Sequence, residues 1–149
     1  MSYQTWTVYG YGVCISDIKT TVERLLNLAS MDADVLQDVR EYLDEIYPNG
    51  YKDEDLTLDD FEEFEGDYCE RGVAYILCRV ININEITVEF ADDFDGTPYV
   101  LYTSSYPWFI RENEKSLTEK DVENIFKKYI RVLTDDPVDI CYYDVSNGG

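Results

Sequence analysis

The chain of 149 residues carries 32 Asp and Glu against 12 Lys and Arg, which gives a net charge of −20, and it contains no His. Without His, Ser-His-Asp and Cys-His nucleophilic sites and His-ligated zinc sites are excluded. The length favours a single domain over residues 1–149, and an apolar fraction of 45% with 14 Tyr indicates a folded chain rather than a disordered acidic tail.

The first third of the chain predicts a strand followed by two helices. Residues 5–13 are β-branched and aromatic, which is typical of a strand. Ser16 is the predicted N-cap of the first helix, and Asp32 or Asp34 that of the second, which ends at residues 48–50. The apolar stripe of the first helix, at a spacing of 3.6 residues, is Ile18, Val22, Leu25, Leu26 and Ala29.

The middle of the chain predicts a short helix and then three strands. Thr57, with Asp60 three residues later, predicts one or two helical turns held by Leu58, Phe61 and Phe64. Three further segments have the composition or alternation of strands and predict an antiparallel meander. They are residues 73–81, 86–91 and 99–104.

Thr118 and Asp121 predict the start of a last helix, which residues 135–137 end, and residues 138–145 predict a final strand. The predicted order is β-α-α-(short α)-β-β-β-α-β. Because this order lacks the repeated βαβ rhythm, it indicates an α+β fold, with three longer helices packed on a mainly antiparallel sheet of about five strands.

Two short motifs resemble ligand-binding loops without completing them. Gly10 and Gly12 follow a strand, but Ile15 stands where a dinucleotide-binding loop needs a third glycine, so a strand-end turn is favoured. Residues 92–96 resemble the first half of a calcium loop, but Tyr102 occupies the position of the obligatory Glu. We therefore predict an acidic hairpin loop, no metal site and no cofactor.

The cysteines and the distribution of apolar residues indicate in which cellular compartment the protein is expected. Cys14, Cys69, Cys78 and Cys141 include no Cys-x-x-Cys pair, so we expect reduced and mostly buried thiols. No stretch approaches the ~18 apolar residues of a membrane span, and the first residues lack the features of a signal peptide. We expect a cytoplasmic protein that does not bind membranes.

The negative charge is concentrated between residues 32 and 70, where 16 acidic residues accompany only Arg40 and Lys52. Carboxylates spaced along a rigid surface can occupy the Lys and Arg positions that grip phosphates, as a nucleic-acid backbone does. The alternative is a solvated acidic face. The densest run is Asp53, Glu54, Asp55, Asp59, Asp60, Glu62, Glu63, Glu65 and Asp67.

A second acidic cluster follows in the predicted meander. If the fold places its loop beside residues 53–67, the two clusters form one negative ridge that repels nucleic acid and attracts basic proteins. An aromatic group at Tyr102, Tyr106, Trp108 and Phe109 is either core or an interface hot spot, with core favoured. The cluster consists of Glu85, Glu89, Asp92, Asp93 and Asp95.

In size, charge and α+β organisation the chain resembles the small acidic inhibitors made by bacteriophages and mobile elements, of the anti-CRISPR or anti-restriction DNA-mimic type. The aromatic opening of residues 5–12 is similar to the start of small proteins from such elements. The resemblance implies a stoichiometric inhibitor, not an enzyme, acting in the bacterial host cytoplasm. Its implied target is a CRISPR effector, with Cas9 as the first choice, whose arginine-lined DNA groove it would occupy.

Two other functions fit the residues. An immunity or antitoxin protein would use the same electrostatics to neutralise a basic toxin nuclease. A metal-dependent hydrolase would need its Asp and Glu residues to converge on a divalent cation in a substrate cleft. So much negative charge would repel phosphate substrates, which disfavours a nuclease.

Overall fold

The computed structural model describes residues 5–67, 70–103 and 117–148. Within these residues, four antiparallel strands form one curled sheet and four α-helices accompany it, so the chain has the predicted α+β class. The elements are β1 (Thr5–Cys14), α1 (Val22–Ala29), α2 (Ala33–Ile46), α3 (Gly72–Asn84), β2 (Glu89–Asp92), β3 (Pro98–Tyr102), α4 (Glu119–Leu133) and β4 (Cys141–Gly148).

The sheet has the strand order β2-β3-β1-β4, with β1 in the centre. Gly12 of β1 lies opposite Leu101 of β3 and Cys141 of β4. The sheet curls so that its outer strands β2 and β4 are in contact. The Asn147 side-chain amide donates to the Asp92 backbone carbonyl at 2.9 Å across this contact. Alternate residues of a strand face opposite sides, and Val100 accordingly packs in the main core under the helices while Leu101 packs in a second apolar cluster.

The largest difference from the sequence prediction is α3. Residues 73–81 were expected to form a central strand, but the chain is helical from Gly72 to Asn84. A short continuous apolar run does not distinguish a buried strand from a buried helix. The helix buries Ile76, Leu77 and Ile81 in the core. As a consequence, the described sheet has four strands rather than five, and the predicted meander is reduced to the β2–β3 hairpin.

Most helix boundaries follow local capping. Of the two predicted caps of α2, Asp32 is the one that forms, by accepting hydrogen bonds from the Asp34 and Val35 backbone N–H groups. Thr118 and Asp121 form the predicted capping box of α4. The predicted cap of α1 at Ser16 is wrong: Thr21 accepts from the Arg24 N–H at 3.3 Å, and the helix begins at Val22. The final strand lies three residues later than predicted, at Cys141–Gly148.

The two glycines near the N-terminus lie inside β1, so the predicted strand-end turn is wrong. A Cβ atom on Gly10 would lie 2.8 Å from the Tyr102 carbonyl oxygen, and one on Gly12 would overlap the Val100 carbonyl oxygen. Glycine is required at these positions because β3 passes too close to β1 for a side chain.

Glu85 joins the end of α3 to α4. Its Oε1 accepts from the Lys128 ammonium and from the Tyr129 hydroxyl, each at 2.8 Å. These hydrogen bonds, the one from Lys128 first, hold the pKa of Glu85 below its usual range. Glu85, a member of the second acidic cluster, therefore serves the fold, and its cationic partner lies 43 residues later in the chain.

We expect Glu85→Gln to lower the free energy of unfolding by about 1 kcal/mol near pH 7, a modest value because solvent screens the pair. Because the folded pKa is depressed, this contribution is present above the unfolded pKa of about 4.3 and is lost as pH falls through the folded value. Urea unfolding of both proteins near pH 7 and near pH 3 measures it. Glu45→Gln, at an exposed position, is the control; a difference that does not change with pH contradicts the prediction.

Candidate partner-binding site

The acidic segment of residues 53–67 is held against the protein by three buried apolar side chains. It contains two single helical turns, Asp53–Asp55 and Leu58–Phe61. Leu56, Phe61 and Phe64 are buried, whereas Leu58, a predicted contact with the core, is 39% exposed. The segment is therefore fixed in place while most of its carboxylates face solvent.

The side chains of three of the nine acids in this segment form hydrogen bonds or ion pairs with other described residues, and Asp60 links two different parts of the chain. Its carboxylate accepts from the Thr57 backbone N–H at 2.8 Å and from the Tyr47 hydroxyl at 2.5 Å. These bonds, the one from Tyr47 first, lower the pKa of Asp60. Thr57 and Asp60 form the predicted capping box.

Asp53 and Glu65 form ion pairs with arginines. Both oxygens of Asp53 accept from the Arg40 guanidinium, at 2.7 and 3.0 Å, and this pairing lowers the pKa of Asp53. Glu65 accepts from Arg71 Nε at 3.0 Å. These two acids therefore present less uncompensated charge to a partner than the sequence alone suggests.

The loop between β2 and β3 is the predicted acidic hairpin. One carboxylate oxygen of Asp93 accepts from the backbone N–H groups of Asp95 and Thr97, both at 2.9 Å. Gly96 has a φ of 80°, in the left-handed region that favours glycine. Asp93 thus shapes the loop, and Asp95 is exposed at its tip.

A groove of about 620 Å³ lies where the second acidic turn, the start of α3 and the β2–β3 hairpin meet. We call it the acidic groove. Its charged lining residues are Asp59, Glu62, Arg71 and Asp92. Its apolar lining residues are Ile15, Leu25, Leu58, Phe61, Val73, Ala74, Phe90 and Pro98.

The charges of the acidic groove do not balance. Arg71 is its only cationic lining residue among those described, and Glu65 already pairs with it. Within the described part of the chain, Asp59, Glu62 and Asp92 form no ion pair, although Asp92 accepts a neutral hydrogen bond from Asn147 at 3.2 Å. Among the described residues, three carboxylates of the groove lining therefore have no cationic partner of their own.

The remaining predicted residues lie elsewhere. Asp53 and Glu54 line a separate groove of about 680 Å³ between α1, α2 and the first acidic turn. Four exposed acids line neither groove: Asp55, Glu63, Asp67 and Asp95. The fold thus brings the two predicted acidic clusters together at three residues, on the 58–62 turn and on β2, rather than along one continuous ridge.

No protein-family model matches this chain, and no curated protein or solved structure is significantly similar to it. The candidate site is therefore defined by geometry and charge. No three Cys, Asp or Glu side chains in the described ranges are arranged to hold a metal ion. Likewise, no described helix is both long and apolar enough to cross a membrane.

Sequence reasoning missed the apolar half of the acidic groove. Val73 and Phe90 were expected only as strand residues, but Val73 lies in the first turn of α3 and Phe90 on β2, and both line the groove with Asp59. Of the predicted aromatic group, Tyr102 is half-buried and packs on the main core. Tyr106, Trp108 and Phe109 lie outside the described residues.

Proposed function

We propose that this protein is a stoichiometric inhibitor of the anti-CRISPR type, which binds the basic nucleic-acid groove of a host defence nuclease and blocks DNA binding. Cas9 is the first target to test, because arginines line its DNA-binding surface. In this proposal the protein acts in the bacterial cytoplasm without catalysis, metal or cofactor.

One observation supports the proposal above the others. The uncompensated carboxylates of Asp59, Glu62 and Asp92 come from two separate segments and share one groove on a well-packed scaffold. Other exposed acids of the same two segments add to the negative surface. A fixed display of this kind attracts a basic surface and suits a protein that competes with phosphates for arginines.

The test is inhibition of DNA binding by purified Cas9 with guide RNA. We expect the wild-type chain to prevent DNA binding, and the triple variant Asp59→Lys, Glu62→Lys, Glu63→Lys to require about 100-fold more protein, because like charges would face each other across the interface. Asp60 is left unchanged because its carboxylate caps the turn and bonds to Tyr47.

A matched control reverses three exposed acids outside both segments, Asp136, Asp139 and Asp144. Both triple variants raise the net charge by the same amount, so a difference between them reports position rather than total charge. Equal inhibition by the two variants would overturn the proposed site. If Cas9 is not bound and a basic toxin nuclease is bound instead, the immunity alternative replaces the proposal.

A further inference from the structure

The acidic groove combines two properties that a simple electrostatic surface does not need. Its lining contains apolar side chains, Phe61 and Phe90 among them, together with three carboxylates, Asp59, Glu62 and Asp92, and one cation, Arg71, which pairs with Glu65. Leu58, 39% exposed, adds an accessible apolar side chain to the lining. A volume of about 620 Å³ is within the range of grooves that enclose a ligand or a short peptide segment.

We propose that the acidic groove receives an arginine side chain of the basic partner, carried on an extended segment with apolar neighbours. This inference rests on the proposed function and specifies how the partner is recognised. The guanidinium would lie among the carboxylates of Asp59, Glu62 and Asp92, while its methylene stem and the neighbouring side chains cover Leu58 and Phe90.

Arginine fits this lining better than lysine for two physical reasons. Its planar guanidinium binds carboxylates through two parallel hydrogen bonds and stacks on aromatic rings, and it is less strongly hydrated than an ammonium group. The lining of the groove combines carboxylates with Phe90, whose side chain is partly exposed, whereas Phe61 is buried. Charge also disfavours a second copy of this chain as the occupant, since each copy carries a net charge of −20.

The experiment titrates the isotopically labelled full chain with the peptide acetyl-Leu-Arg-Leu-amide and follows backbone amide signals by NMR. We expect saturable shifts at groove positions, including Gly72, Ala74 and Gly96. Peptides with lysine or citrulline in place of arginine should bind about tenfold more weakly, because they lack the charged planar fork. Citrulline keeps the shape of arginine without its charge.

Two variants separate charge from apolar contact. Asp59→Asn with Glu62→Gln should weaken the arginine peptide about tenfold, and Leu58→Ala should weaken it about threefold. Asp136→Asn with Asp139→Asn, at exposed positions away from the groove lining, should have no effect. Shifts spread over all surface acids, or equal binding of the three peptides, would overturn the inference.

Failure of this inference can be told from failure of the proposed function. If the arginine peptide binds the groove while Cas9 and toxin nucleases are neither bound nor inhibited, the groove assignment stands and the proposed function falls. If Cas9 is inhibited equally by wild type and by the Asp59→Asn, Glu62→Gln variant, the proposed function stands and the groove assignment falls.

Discussion

Raising the salt concentration from about 50 mM to about 500 mM is expected to slow association of this protein with its basic partner about 100-fold. The reason is the negative electrostatic field of a chain with a net charge of −20. Residues 32–70 alone contain 16 acidic residues and only two cationic ones. Salt screens this field before contact is made. Stopped-flow or surface-based kinetics across the salt range measures the effect on association separately from dissociation.

The dissociation rate should change much less with salt, because carboxylates enclosed in an interface are screened less than exposed ones. The variant Asp59→Lys, Glu62→Lys, Glu63→Lys should show a shallower salt dependence than the control that reverses Asp136, Asp139 and Asp144. An association rate that is independent of salt would mean that apolar contacts dominate, and the proposed electrostatic mechanism would be wrong.

Sequence patterns predicted those parts of the fold that depend on neighbouring residues. The cap at Thr118 was identified correctly and that at Asp32 was one of two candidates, since a side-chain oxygen that accepts an N–H two or three residues later is a local interaction. One or two helical turns were expected between residues 51 and 70, and the structure has two short 3-10 turns there. The α+β class was predicted from the order of elements, and it is correct although residues 73–81 were assigned to a strand instead of a helix.

The failed assignment, α3, depended on information that its own segment does not contain. Residues 73–81 are apolar at almost every position, so neither an alternating nor a 3.6-residue pattern emerges. Tertiary contacts decide between strand and helix for this segment, since α1, α2 and the sheet all contact α3. Propensity is a weak prior that tertiary context overrides.

The candidate site was predictable as a concentration of charge but not as a groove. The acids that serve the fold, Asp53, Asp60 and Glu65, look the same in sequence as those that face the groove, because their partners Arg40, Tyr47 and Arg71 lie 6 to 13 residues away. The apolar lining required knowledge of where α3 begins. Charge counting therefore finds the region, and side-chain partners show which acids are available for binding.

Gly12→Ala is expected to lower the free energy of unfolding by about 3 kcal/mol, a large share of the ~5–15 kcal/mol that a domain possesses. The added Cβ would overlap the Val100 carbonyl oxygen and lie 3.1 Å from Phe126 Cζ, in a strand that is paired on both sides. Neither β3 nor the buried Phe126 ring can move without disturbing the core. Urea unfolding followed by circular dichroism measures the loss.

Gly50→Ala supplies the comparison. Gly50 has a φ of 92° but nothing within 4 Å of the added Cβ, so that substitution strains the backbone without steric overlap and should cost about 1 kcal/mol. The decisive result is which of the two substitutions lowers the free energy of unfolding more. Gly12 has no positive φ, so backbone conformation alone would make Gly12→Ala the milder substitution. A smaller loss at Gly12 than at Gly50 would contradict the close approach of β1 and β3. The two glycines of the β1 motif would then lack a structural reason, and a ligand-binding role for them would have to be tested.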